Sequence, residues 1–309
     1  MMNGHDSCSG IGPFLSEAYL SRAASQTSSQ SAGQAISPAS SLTVPIGGPP
    51  LAGRYTLKSS LGMGGFAAVF LARDDIRKED VALKVAEAGP CDPEIARLVL
   101  EHESRVYSRI SDHQHVLAVH DLHYVPWRDT GLLLLSMEHA DGGSFRKWLI
   151  QHKDDHQTRL SEGLEYFKQM CYGVAAVHRA SAVHLDLKPD NFLFVRGILK
   201  VSDFGAARCL QTIRLSSSMP SRIALPWQGT LAYMAPELLV AAHPEDVDER
   251  ADVYALGCIA FEIFHPQCHP PFGGTDDDIR ERHLRFTPPP LVGVSEHLAR
   301  VVARCLEKV

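Results

Sequence analysis

The residues best equipped for chemistry fall in His184-Leu185-Asp186-Leu187-Lys188-Pro189-Asp190-Asn191 and, a short hairpin later, Asp203-Phe204-Gly205. A carboxylate, an ammonium and a carboxamide within six residues suit the transfer of a phosphoryl group. Asp186 can accept or orient the proton of an attacking hydroxyl, and Lys188 can offset charge on the group in flight. Asn191 and Asp203 are hard oxygen ligands, spaced to hold magnesium across a nucleotide's phosphates. A polar loop closed by an Asx turn, beside an unrelated Asp-x-Gly turn, would use the same residue types, so the reading needs support from elsewhere in the chain.

That support lies upstream. Leu61-Gly62-Met63-Gly64-Gly65-Phe66-Ala67-Ala68-Val69 sits between two strand-like stretches, where glycines let a hairpin's backbone rest on phosphate oxygens. Alone it would be only a turn. The strand-like run Val81-Ala82-Leu83-Lys84 follows, and a lysine interrupting an apolar run needs an anion, for which a nucleotide phosphate is the natural candidate.

The elements that must position these groups are legible from periodicity. Alternating apolar stretches predict strands at Tyr55–Leu61, Val69–Ala72 and Val81–Val85, a helix over Pro93–Ile110, then strands at Val116–Tyr124 and Leu132–Met137 joined by a polar turn at Pro126–Gly131. After Gly143 the pattern is mainly helical, interrupted by a loop-rich stretch from Val183 to Glu237, and the apolar run Val253–Phe264, which carries Glu262, reads as a buried core helix. A small β-rich half followed by a larger helical half is an α+β, two-lobed plan.

Together the glycine-rich hairpin, the Val-Ala-Leu-Lys strand, the His184–Asn191 loop and Asp203–Gly205 resemble the eukaryotic-type protein kinase family. Gly229-Thr230-Leu231-Ala232-Tyr233-Met234-Ala235-Pro236-Glu237 resembles the end of that family's activation segment, where a substrate peptide docks, and Lys188 with Thr230 resembles its serine/threonine branch. The resemblance implies a two-lobed protein kinase fold over residues 53–309. Its parts would be an N-lobe at 53–137 with an antiparallel sheet and one helix, a hinge at 138–143, and a mainly helical C-lobe at 144–309. It implies ATP and Mg2+ as cofactors and a protein substrate. ATP would contact Leu61, Gly62, Met63, Gly64, Gly65, Val69, Ala82, Lys84, Met137, Glu138, Ala140 and Leu193; Met137 takes the gatekeeper place, and Ala82 and Leu193 sandwich the adenine. Catalysis would fall to Asp186, Lys188, Lys84 and the glutamate that holds Lys84, with Asn191 and Asp203 binding the metal. Glu101 and Glu103 compete for the glutamate role; Glu103 shares the apolar stripe with Val99, Val106, Tyr107 and Ile110, so it is the choice, with Tyr107 packing beneath the helix. Asp252, in Arg250–Gly257, would tie the catalytic loop's backbone to a central C-lobe helix. Lys188 and the Gly229–Glu237 block argue against a small-molecule kinase of the choline or aminoglycoside type.

Four departures from the family pattern matter. Ala67 replaces the third loop glycine. Leu185 stands where many members carry an arginine that grips an activation-segment phosphate, and Pro226 occupies the usual acceptor position, which makes this a non-RD variant whose activity should not depend on phosphorylation there. Leu231 replaces a common proline. The chain stops at Val309, short of the family's last helix and of the arginine that pairs with the equivalent of Glu237, so the C-lobe reads as truncated. Ala67, Leu185 and this ending leave a second reading open, a pseudokinase-like scaffold that holds nucleotide without turnover.

Bulk composition fits either reading. The 309 residues are 45% hydrophobic and 21% charged, as in ordinary globular enzymes. With 30 Lys+Arg against 36 Asp+Glu, the net charge of −6 gives no basic excess for nucleic acid. Seven cysteines without a C-x-x-C pair indicate a reducing, cytoplasmic setting, with Cys171 and Cys258 as core residues. No apolar run reaches the roughly 20 residues of a membrane span. Residues 1–52, rich in Ser, Ala, Gln, Gly and Pro, read as a disordered tail available to a partner protein.

Overall fold

A computed structural model describes residues 44–63, 67–88, 107–110, 113–127, 130–204, 208–209, 231–241 and 247–308. The expected tail up to residue 43, the helix expected over Pro93–Ile110 except its last turn at 107–110, and most of the 205–230 segment lie outside these residues.

The first half is a five-stranded antiparallel sheet in the order β1-β2-β3-β5-β4. Its strands are β1 (Tyr55–Met63), β2 (Ala68–Asp74), β3 (Glu79–Ala88), β4 (Val119–Trp127) and β5 (Thr130–Glu138). Alternation divides the side chains between two cores. Val81, Leu83 and Val85 of β3 and Leu132 and Leu134 of β5 pack on the outer face with Tyr55, Leu57 and Phe70. Ala82, Ala86, Leu133, Leu135 and Met137 point the other way and join the core that continues into the second half. Because successive strand residues face opposite sides, Lys84 belongs with Ala82 and Ala86 on the inter-lobe face.

Two sequence boundaries shift. Val44 and Leu51 are buried in the outer core, and Gly47 N–H donates to Leu57 O at 3.0 Å, so packed chain extends back before Gly53. The expected turn Pro126–Gly131 is narrower: Pro126 pairs with Gly131 and Trp127 with Thr130 as ladder partners. Pro126 is tolerated because β4 is an edge strand, where a missing N–H costs no ladder bond. A Cβ at Gly131 would meet the ring of the exposed Tyr124, which packs across the glycine.

The second half is helical. Its elements are a short β6 (Gly143–Ser144), α1 (Phe145–Gln151), α2 (His156–Arg179), β7 (Ala182–Val183), the hairpin β8 (Phe192–Val195) and β9 (Ile198–Val201), β10 (Arg208–Cys209), α3 (Pro236–Val240), α4 (Arg250–Phe264), α5 (Asp276–Arg285) and α6 (Glu296–Cys305). The expected core helix is α4, buried along nearly its whole length with Cys258 inside it. Asp155 caps α2 by accepting from Thr158 N–H, and Ser144 caps α1 through Lys147 N–H, which fixes where each helix starts. This is the two-lobed α+β plan. Among the described residues no helix is long and apolar enough to cross a membrane.

Candidate active site

The catalytic-loop segment leaves β7 and runs over the N-terminus of α4. Asp252, in the first turn of α4 and fully buried, accepts from His184 N–H at 2.8 Å and Leu185 N–H at 2.9 Å, and meets His178 Nε2 at 2.8 Å. The helix cap is Glu249, so Asp252 serves the loop, which is the tethering role expected of it. The two bonds hold Leu185 at φ 66°, a left-handed backbone that a leucine adopts only under constraint.

His184 carries the constraint onward. Its Nε2 lies 2.9 Å from Ser202 O, and its Nδ1 receives Asp186 N–H at 3.3 Å. A carbonyl only accepts and an amide only donates, so the ring is the neutral tautomer protonated on Nε2. Ser202 in turn donates from N and Oγ to Asn191 O at 2.8 and 2.9 Å, stitching the end of β9 to the loop. Asn191 Nδ2 donates to Asp186 O at 2.8 Å and Asp186 Oδ2 at 3.1 Å, and Lys188 Nζ reaches the same Oδ2 at 2.8 Å. With its nitrogen committed to Asp186, Asn191 keeps its amide oxygen for another partner.

Asp203 lies just beyond, at φ 62°. Its N–H donates to the Tyr107 hydroxyl at 3.2 Å, while Phe204 is buried between Tyr107 (ring centroids 4.5 Å, edge to face) and His184 (5.0 Å). Lys84, from the middle of β3, spans the cleft to Asp203 Oδ1 at 3.1 Å. The Lys84 ammonium, bonded to it, and Lys188 more weakly, hold the Asp203 carboxyl down at about 2. Lys84, Asp186, Lys188, Asn191 and Asp203 therefore converge on one inter-lobe cleft. The donor set fits magnesium: an amide oxygen and a carboxylate are hard ligands, and an ion bound largely through nucleotide phosphates and water needs only one or two from the protein.

The residues expected around ATP are distributed as follows. Leu61, Gly62 and Met63 end β1, with Leu61 and Met63 exposed; Gly64 and Gly65 lie outside the described residues, as does Glu103. Val69 pairs with Lys84 across β2–β3, Ala82 pairs with Met137, and both Ala82 and Met137 are buried. Leu193 of β8 and Ala140 are partly buried against the same core. Glu138 N–H bonds Ala118 O at 2.9 Å, and its side chain is paired with Lys200 Nζ at 2.7 Å. That second contact gave no signal in the sequence, because Lys200 lies 62 residues away on β9. Leu185 is buried and lines a small niche with Asp186, Leu187, Tyr233, Met234, Leu238, Ala251, Asp252 and Ala255. Glu237 is partly buried, and burial pushes its carboxyl up; among the described residues no cation pairs with it, Arg250 being committed to Asp248 at 2.8 Å.

A second polar cluster borders the cleft and escaped the sequence reading. Arg146 of α1 donates from Nη1 to Glu262 Oε1 at 2.6 Å, from Nη2 to the Tyr233 hydroxyl, and from Nε to Asp190 Oδ2 at 3.3 Å. Tyr233 donates to Glu262 Oε2 at 2.6 Å. Burial and Glu262 push the Tyr233 phenol far up, so it is a neutral donor. The only available signal was Glu262 itself, a carboxylate on an apolar helix that calls for a cation.

The chain belongs to the protein kinase domain family, whose model matches residues 55–309. Among curated proteins it is similar to serine/threonine-protein kinase PknB of Mycobacterium leprae, 32% identical over 266 residues, covering 84% of this chain and 40% of that protein. It is also similar to PknB of Mycobacterium tuberculosis H37Rv at 31% identity, and to the SNF-related serine/threonine-protein kinase of Rattus norvegicus at 30% identity over 82% of this chain and 32% of the relative. The chain thus spans 40% or less of the length of these relatives.

Proposed function

We propose that this chain is a protein serine/threonine kinase, transferring the γ-phosphoryl group of Mg-ATP to a hydroxyl of a protein substrate. The observation that carries the reading is the convergence of Lys84, Asp186, Lys188, Asn191 and Asp203 on one cleft. Magnesium would supply charge neutralisation between the phosphates, held by Asn191 Oδ1 and Asp203. Lys84, now on Asp203, is placed to take phosphate oxygens. Asp186 orients the acceptor hydroxyl, and Lys188, bonded to Asp186 at 2.8 Å, offsets charge on the transferred group. Asp203 stays a carboxylate throughout the neutral range because its carboxyl is held at about 2.

The test is transfer of labelled phosphate from ATP to a generic protein substrate with magnesium, beside Asp186→Asn. Loss of transfer in the variant by at least about 10³-fold is expected, the scale of a lost general base with its orienting role. Nucleotide binding without any transfer by the wild type would instead favour the pseudokinase-like scaffold.

Regulation, setting and the tail belong to the same proposal. Leu185 is a buried apolar side chain and offers no cation to a phosphate, so turnover should survive phosphatase treatment; abolished turnover would refute this. The cysteine pattern supports a cytoplasmic location, and the polar composition of the segment before Val44 supports partner recruitment through it.

A further inference from the structure

The cluster around Arg146 has the make-up of a guanidinium-binding pocket. Its acceptors come from three separate elements: Asp190 from the Pro189–Asn191 turn within the catalytic loop, Glu262 from α4, and Tyr233 from the 231–233 turn inside the block expected to dock a peptide. Each nitrogen of one guanidinium finds an oxygen, and the group also lies 5.8 Å from the Tyr233 ring centroid. The planar fork of arginine is what matches such a set. Glu262 and Tyr233 are buried, whereas Asp190 is 51% exposed and Arg146 26%, so the pocket opens toward solvent beside Asp186. The occupant is the chain's own side chain.

Resting on the kinase reading, we propose that Arg146 determines substrate specificity by filling an acidic subsite next to Asp186, so that the enzyme does not select an arginine or lysine in the substrate positions that pass this pocket. Without the Arg146 side chain, the Glu262 and Asp190 carboxylates would face the peptide path unneutralised and would take a substrate guanidinium in its place. A role confined to bracing α1 against α4 would alter stability and leave the substrate preference of the enzyme unmoved.

The test uses serine peptides carrying Arg or Ala at each flanking position, with the full chain as wild type, Asp190→Asn, Arg146→Ala and Arg146→Ala/Asp190→Asn. Two readouts are taken, kcat/KM for transfer and Kd for peptide with nucleotide present. In the wild type the Arg/Ala ratio should stay within about threefold at every position, and Asp190→Asn should leave that ratio in place. In Arg146→Ala one position should rise to an Arg preference of about tenfold or more, the scale of one charge-assisted bond, and the double variant should fall back. A wild type that already prefers Arg tenfold and loses the preference in Asp190→Asn overturns the proposal, even if Arg146→Ala does not fold. So does a folded Arg146→Ala with no position above threefold. Absence of transfer to every peptide by the wild type would refute kinase activity, while the Kd ratios would still decide the subsite.

Discussion

Two regions supply the groups that meet in the cleft, and they fix them by different means. Lys84 sits in mid-strand, its backbone flanked by Val69 on β2 and Leu135 on β5, so its position follows from sheet register alone. The catalytic loop has no ladder to lean on. Left-handed backbone occurs at Leu185 in the loop and at Asp203 beyond β9, and both are held by side chains: Asp252 accepts from two loop amides, the loop's own His184 bonds Ser202 O, and Tyr107 accepts from the Asp203 amide. A strand therefore separates placement from chemistry, while the loop entrusts placement to residues that never touch a substrate. Mutations should expose that division.

Among variants that test placement, the largest effect is expected at Asp252. Asp252→Ala leaves the His184 and Leu185 amides buried without an acceptor, at about 1–3 kcal/mol each, and frees a loop whose displacement by about 1 Å can cost roughly 10²-fold in rate. Chemical denaturation and phosphoryl transfer should both suffer, by several kcal/mol and at least about 100-fold. Lys84→Met should separate the two readouts. The strand keeps its register, so the unfolding free energy from chemical denaturation should change by less than about 1 kcal/mol, whereas loss of a charge-assisted phosphate contact should slow transfer by about 10- to 100-fold. If Lys84→Met unfolded the domain, or Asp252→Ala kept full activity, the contrast between strand and loop would be wrong.

The same contrast explains what the sequence could reveal. Strand positions followed from alternation, since a period of two is a local signal, and Lys84 stood out as a cation in an apolar run. The Asp186–Asn191 and Asp203 groups were legible because their spacing along the chain is itself the constraint. The hairpin between β4 and β5 was misjudged because a proline reads as a turn residue, and only the sheet order reveals that β4 is an edge. The Arg146 cluster and the Lys200–Glu138 pair were invisible for a different reason. Their partners lie 44 to 116 residues apart in sequence, and no local pattern says which buried carboxylate meets which cation.

The smallest expected effect gives the sharpest test, because it removes one atom. Tyr107 does two things at once: its ring packs on Phe204, and its hydroxyl accepts from the Asp203 amide. Tyr107→Phe keeps the ring contact and deletes the acceptor, so the buried stack should survive with a stability loss of about 0.5–1.5 kcal/mol. Asp203 would lose a support of its left-handed backbone. The consequence should fall on the metal side of the site, as a rise of about two- to fivefold in the magnesium concentration needed for half-maximal transfer, with little change in KM for the protein substrate. Equal losses in both quantities would mean that the hydroxyl stabilises the lobe in general. A wild-type magnesium dependence would mean that Lys84 and the Phe204 packing suffice to place Asp203, and that this part of the loop, like the strand, is positioned without a dedicated side chain.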